Sequence, residues 1–257
     1  MKTKVLYPFV LFALLVLAVG LACSINVGTT ATSAPPTQAQ QPQQPQQQPT
    51  NPPPPTQPPA PTVPPVTATE EIPAFFTEDF ISDSLPNWTY YVNYGDANKM
   101  SISVDSGYLD FEINAEDTSV YLFYDPYIYT DVILEAKAEN RGMNNNNVSL
   151  VCRLTDPEWY EFSIANNGLY WIYAHDASGY NKLYDGGSTA INQGKGENVY
   201  TIGCVGDTLS LYINGVEVKT LEDKQYRFRE GQVGINVTSF NVTPIKVEFD
   251  YLTIAQP

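Results

Sequence analysis

Carboxylates are the most abundant groups in this chain that could carry acid–base chemistry. Two of them flanking a glycosidic bond can serve as acid and as base or nucleophile. On an extended strand, residues two apart project from the same face. That spacing occurs at Asp110 with Glu112 and at Glu248 with Asp250. The first run continues to Asn114 and the second to Leu252, so neither adds a third acid. Asp156-Pro157-Glu158 reads as a turn and Glu161 follows on the next extended run, which makes Glu161, Asp156 and Glu158 the remaining catalytic candidates. Otherwise these acids read as solvated outer-face carboxylates. His175 is the only histidine, beside Asp176 in a tyrosine-rich stretch, and it reads as a surface residue rather than a base. No glycine-rich loop joins a strand to a helix, so nucleotide chemistry has no support.

Aromatic side chains offer a different chemistry. Trp159, Tyr160, Phe162, Tyr170, Trp171, Tyr173, Tyr180 and Tyr184 crowd into one stretch. Strand alternation sorts them by face. Tyr160, Phe162 and Ile164 share one face, taken as core, while Trp159, Glu161 and Ser163 share the other. On the following run Tyr170 and Ile172 match the core set, which leaves Trp171 and Tyr173 outward. Arg153, out of phase with core-facing Cys152, is expected to join them. Arg153, Trp159, Glu161, Trp171 and Tyr173 thus form a candidate ligand-binding group. Flat rings beside polar groups suit a sugar, whose C–H faces stack while its hydroxyls need fixed partners. The same rings could equally pack within the fold or cap its rim.

The three cysteines divide by place. Lys2 and Lys4 precede an apolar run over residues 5–22, which ends Gly20-Leu21-Ala22-Cys23-Ser24. This is a secretory signal layout, and its ending resembles the lipobox of bacterial lipoproteins. That resemblance implies removal of residues 1–22, lipidation of Cys23 and a place in the cell envelope outside the cytoplasm. Cys152 and Cys204 remain as an even pair in an oxidising compartment and are expected to form a disulfide.

The elements that must position these groups lie late in the 257 residues. Residues 23–69 are rich in Pro, Gln, Thr and Ala and carry no charge until Glu70 follows them. Such a tract cannot offset its ordering entropy by burial, and it reads as a disordered stalk. Residues 70–257 form one domain with alternating runs rich in Val, Ile, Tyr and Phe. Strands are expected near 75–80, 88–94, 100–104, 108–113, 120–124, 131–139, 148–154, 159–164, 169–173, 199–204, 208–213, 216–220, 233–237 and 246–254. Asn214-Gly215 is the strongest hairpin signal; Asp105-Ser106-Gly107, Asn166-Asn167-Gly168 and Asp185-Gly186-Gly187 mark further turns. Asn87, Asn147, Asn236 and Asn241, each in an Asn-x-Ser/Thr triplet, read as turn and edge residues. So many short strands imply an all-β, two-sheet antiparallel sandwich. A net charge of −15 disfavours nucleic acid and anionic lipid as partners.

The order of features is similar to the concanavalin A-like (laminin G-like) jelly-roll superfamily, and within it to the bacterial 3-keto-disaccharide hydrolase branch. The residues that carry the likeness are Phe76-Thr77-Glu78-Asp79-Phe80 with Trp88, Gly107-Tyr108-Leu109, and Val151-Cys152-Arg153 with Trp159-Tyr160-Glu161-Phe162. Asp207-Thr208-Leu209 through Asn214-Gly215, Gly231-Gln232-Val233-Gly234-Ile235 and Val247-Glu248-Phe249-Asp250-Tyr251 complete it. The resemblance implies a jelly-roll sandwich; its motifs are mostly turn and core positions, which specify the fold and not the ligand. Some members carry a Glu-x-Asp-x-(x)-Glu catalytic order, which is not reproduced here. Others hold a structural Ca²⁺ near their paired first and last strands, where Asp79 and Asp250 could stand; no cofactor is otherwise required. The leading expectation is a lipid-tethered sandwich that binds glycan without catalysis. The alternatives are a glycoside hydrolase of the 3-keto-disaccharide type and a module that holds an envelope protein partner.

Overall fold

The structure is a computed structural model in which residues 71–257 are described. Cys23, the apolar run before it and the stalk over residues 23–69 fall outside the described residues. Fifteen strands follow one another along the rest. They are β1 (Phe76–Glu78), β2 (Trp88–Tyr94), β3 (Met100–Asp105), β4 (Tyr108–Ile113), β5 (Thr118–Tyr124), β6 (Val132–Asn140), β7 (Asn146–Thr155) and β8 (Glu158–Ala165). Then come β9 (Leu169–Asp176), β10 (Gly179–Gly187), β11 (Glu197–Val205), β12 (Thr208–Ile213), β13 (Val216–Glu222), β14 (Gln232–Ser239) and β15 (Ile245–Ala255). A 3-10 turn at Ala97–Lys99 is the one helical segment among the described residues.

All pairings are antiparallel, and they make two sheets. The first runs β13-β12-β11-β6-β15-β4-β3, with β1 added to β15; the second runs β10-β9-β8-β7-β14-β5-β2. Stacked face to face, they make a jelly-roll sandwich. Alternation explains the core. Phe111, Leu134, Ile202, Leu211 and Phe249 from the first sheet meet Leu122, Leu150, Phe162, Ile172 and Ile235 from the second, all buried. Cys152 on β7 and Cys204 on β11 are bonded, with Cα atoms 6.7 Å apart, so the disulfide ties one sheet to the other through that core. Closing a loop of 52 residues stabilises by about 4 kcal/mol in the chain-entropy model.

The turn chemistry is local. Asn214 and Gly215 both adopt positive φ, 51° and 77°, as the two-residue hairpin turn between β12 and β13 requires. Asp185-Gly186-Gly187 departs from expectation: it is the end of a strand, β10, and not a turn. Its residues have low strand propensity, but pairing with β9 overrides that. Gly186 has a packing reason as well. A Cβ there would lie 2.9 Å from the Tyr170 phenol oxygen.

Candidate functional site

The outer face of the second sheet is unlike an ordinary solvent face. In β5, β8 and β14 nearly every residue is buried, on both faces of the strand. Register places the outward side chains in rows that cross the sheet. One row reads Tyr91, Tyr121, Asn236, Ser149, Ser163, Trp171 and Asp185, from β2 to β10. The next reads Thr89, Phe123, Gly234, Val151, Glu161, Tyr173 and Lys182. Gly234 is the gap in that row. A Cβ there would sit 2.6 Å from a Phe123 ring carbon and 2.4 Å from the Leu122 carbonyl oxygen. Phe123 instead lies flat against Tyr121, with ring centroids 5.4 Å apart, and these two with Val151 and Trp159 form a second apolar cluster outside the main core.

This face is concave. Tyr180 on β10 and Tyr121 on β5 are five strand steps apart, roughly 24 Å on a flat sheet. Their phenol oxygens nevertheless meet at 2.5 Å, which demands a strongly curled sheet. Tyr180 lies edge-on to the rings of Trp159, Tyr173 and His175, and it accepts a hydrogen bond from Asn93 on the opposite edge strand. It acts as a strut across the hollow.

Under the strut sits Glu161, 4% exposed. Tyr121 Oη donates to its Oε2 at 2.6 Å, Ser149 Oγ to its Oε1 at 2.8 Å, and Trp159 Nε1 to Oε2 at 3.3 Å. Because Tyr121 spends its proton on Glu161, the proton between the two phenols belongs to Tyr180, and the donors run Asn93 to Tyr180 to Tyr121 to Glu161. Burial pushes the Glu161 carboxyl above the usual carboxylate range, against the pull of these three donors. Burial also raises the Tyr121 and Tyr180 phenols, with the Glu161 charge adding to the effect. His175 stacks on Trp159 at 3.6 Å and donates Nδ1–H to the Pro157 carbonyl, so it packs and orients the indole.

Beside the strut the hollow opens into a cleft of about 430 Å³, lined by Tyr94, Asn147, Glu161, Ser163, Trp171, Tyr173, Tyr180, Thr238 and Phe240. Its floor is a polar network. Asn147 Nδ2 donates to Ser163 Oγ, and Thr238 Oγ1 donates to Asn236 Oδ1, both at 2.9 Å. The Asn147 Oδ1 atom is buried with no hydrogen-bond partner. Aromatic walls over fixed amide and hydroxyl groups are what a polyhydroxylated ring needs: apolar stacking on its faces and directional partners on its edges.

Of the residues singled out from sequence, Glu161, Trp171 and Tyr173 line this cleft. Trp159 lies on the expected face but is buried, beneath His175 and Tyr180. Arg153 is not part of the group. The register shifts between Cys152 and Thr155, and Arg153 adopts a positive φ of 56°, which breaks the alternation and turns its side chain into the sandwich. Its guanidinium donates there to the carbonyls of Phe228 (2.8 Å) and Thr130 (3.2 Å). Asp156 and Glu158 are exposed at the β7–β8 hairpin and line no part of the cleft.

Asp110, Glu112 and Glu248 face outward from the first sheet, gathered around Lys246 at 3.1, 3.8 and 3.2 Å. Asp250 pairs with Lys137 at 2.9 Å and Asp79 is exposed after β1. Among the described residues no group of three or more His, Cys, Asp or Glu side chains could hold a metal ion. Sequence reading passed over Tyr94, Asn147, Thr238 and Phe240. Asn147 and Asn236, expected at turns and edges, stand on central strands instead. The available signal was β2, where Tyr90, Tyr91 and Tyr94 are too aromatic for a plain outer strand.

No protein-family model matches the chain, and no curated protein resembles it in sequence. Solved structures share its fold. The β-glucanase of Bacillus licheniformis is 13% identical with a TM-score of 0.55, over 73% of this chain and 100% of that one. The laminarinase of Flavobacterium sp. UMI-01 is 13% identical with a TM-score of 0.54, over 70% of this chain and 99% of the other. A Bacillus subtilis protein of unknown function with a galectin-like fold is 12% identical with a TM-score of 0.56, over 72% and 97%. At such identities the likeness shows the fold, a concanavalin A-like jelly roll.

Proposed function

We propose that this protein is a lipid-anchored, extracytoplasmic module that binds carbohydrate in the concave cleft and does not cleave it. The observation that carries this reading is the composition of the cleft. Five aromatic side chains surround a floor of amides and hydroxyls, with Glu161 as the single carboxylate. Hydrolysis of a glycosidic bond uses two carboxyl groups facing each other across the substrate. The strand that carries Glu161 continues outward to Ser163 and Ala165, neither of which ionises. For glycoside cleavage, the main alternative, the lining of the cleft holds no second acid among the described residues. The jelly-roll likeness to a β-glucanase and a laminarinase supports carbohydrate as the ligand class by analogy of fold only.

Tethering rests on sequence: the basic start, the apolar run over residues 5–22 and Cys23. The Cys152–Cys204 disulfide supports an oxidising compartment. The test is binding of the protein to a broad polysaccharide panel, with and without Ca²⁺, while released sugar is followed in the same wells. Saturable binding without product is expected, and Trp171→Ala should weaken it at least tenfold while thermal unfolding moves little. Product formation would favour the hydrolase. Silence across the panel would favour a protein-interaction module.

A further inference from the structure

The buried acids of this protein are not provided for equally. Asp110 has the Lys246 ammonium at 3.1 Å. Asp223 accepts from the Tyr160 phenol and from the backbone N–H groups of Gln225, Tyr226 and Arg227. These donors hold the Asp223 carboxyl below the usual range although burial opposes them. Glu161 is the most deeply set of the three and has only neutral donors. Among the described residues no lysine or arginine pairs with it. A carboxylate taken out of water without a counter-ion is costly to hold charged.

The cleft above it supplies other features that favour a positive charge. The faces of Tyr173, Tyr180 and Trp171 are electron-rich, and a cation within about 6 Å of such a ring is attracted to it. The unpartnered Asn147 Oδ1 is a buried acceptor on the cleft floor, on a residue only 9% exposed. Among the described residues no lysine or arginine lines the cleft to repel a cation. The net charge of −15 adds long-range attraction of the same sign.

We propose that the cleft selects a sugar bearing a protonated amine, with the ammonium group set between the Glu161 carboxylate and the rings of Tyr173 and Tyr180. This deepens the carbohydrate-binding reading and rests on it. The amine would supply the missing counter-charge, and Asn147 Oδ1 would accept from the ammonium or a neighbouring hydroxyl. Neutral sugars lack the charge and N-acetylated sugars have lost it. Acidic sugars would bring a second negative charge to Glu161.

The experiment is calorimetric titration of the full chain with matched oligosaccharides that differ at one carbon, bearing an amine, an acetamide or a hydroxyl, at a pH where the amine is protonated. The expected result is at least tenfold tighter binding of the amine form, with the preference abolished in Glu161→Gln. The wild-type comparison decides the matter even if that variant fails to fold. Equal affinity for the three forms would overturn amine selection and leave carbohydrate binding intact. So would binding of other glycans on a panel with none of the three bound. Binding to a lysine-rich peptide in place of any sugar would overturn both readings, as would silence toward every glycan.

Discussion

The outward faces of the two sheets are built on the same two-residue period but bury different things. On the first sheet, β6 alternates buried and half-buried along its whole length, and β15 does so for most of it. Its outward residues are charges that answer one another: Lys137 lies between Glu197 (3.1 Å) and Asp250 (2.9 Å), and Arg141 between Glu139 (2.9 Å) and Glu248 (2.7 Å). On β5, β7, β8 and β14 of the second sheet the alternation of burial disappears. Tyr121, Phe123, Trp159 and Glu161 point away from the sandwich core and are buried all the same. Among the described residues no third layer covers them; the curl of the sheet and the Tyr180 strut do. Strands buried on both faces therefore form the base of the hollow, while β9, which keeps its alternation, supplies the half-buried rings of Trp171 and Tyr173 to its wall.

Removal of Trp159 tests this contrast most severely. Trp159→Ala should destabilise by about 3–5 kcal/mol, as for an aromatic in a core, measured by urea unfolding. A loss of less than about 1 kcal/mol would mean that the hollow is surface after all.

Acid titration separates the faces by sign. Burial sets the Glu161 carboxyl above the usual range, so the unfolded chain ionises first as pH rises. Wild type should therefore lose stability relative to Glu161→Gln from about pH 4 upward, until Glu161 ionises in the fold, by about 1.4 kcal/mol for each unit separating the two ionisations. Glu248 behaves oppositely. Burial would raise it, but hydrogen bonds from Arg141 and Lys246 hold it low. Its contribution is present above about pH 4 and fades as pH falls through its folded ionisation, so Glu248→Gln should be harmful near neutrality and harmless in acid. Unfolding curves at a series of pH values that slope the same way for both variants would erase the distinction.

Tyr180→Phe removes the hydroxyl that joins Tyr121 to Asn93 across the hollow. A loss of about 1 kcal/mol is expected, together with faster amide exchange along the edge strand β10. Unchanged exchange would mean that the strut does not hold the curl. The smallest effect belongs to the first sheet. Lys137→Met breaks two partly exposed ion pairs and should cost less than about 1 kcal/mol, with most of that difference gone at high salt.

Much of this was legible in sequence, and the failures have physical causes. The face assignments on β8 and β9 held, because alternation is a property of the extended backbone: Tyr160, Phe162 and Ile172 are core, and Glu161, Trp171 and Tyr173 point outward. Arg153 failed because one residue in a left-handed conformation at a bulge reverses the alternation beyond it. β10 was missed because its glycines and polar residues signal a turn until β9 is present to pair with them. Trp159 was placed on the correct face but with the wrong exposure, since His175 and Tyr180, which cover it, stand beside it only through the register of β8, β9 and β10.

Local chemistry thus determined the all-β class, the hairpin at Asn214-Gly215 and the pairing of Cys152 with Cys204. Each depends on side-chain period, on turn geometry or on a count that can be read along the chain. The cleft could not be read that way. Tyr94, Asn147, Glu161, Tyr180 and Phe240 come from strands and a loop scattered over most of the domain. Only the order of strands in the second sheet, and the curvature that brings β10 toward β5, assemble them around one buried charge.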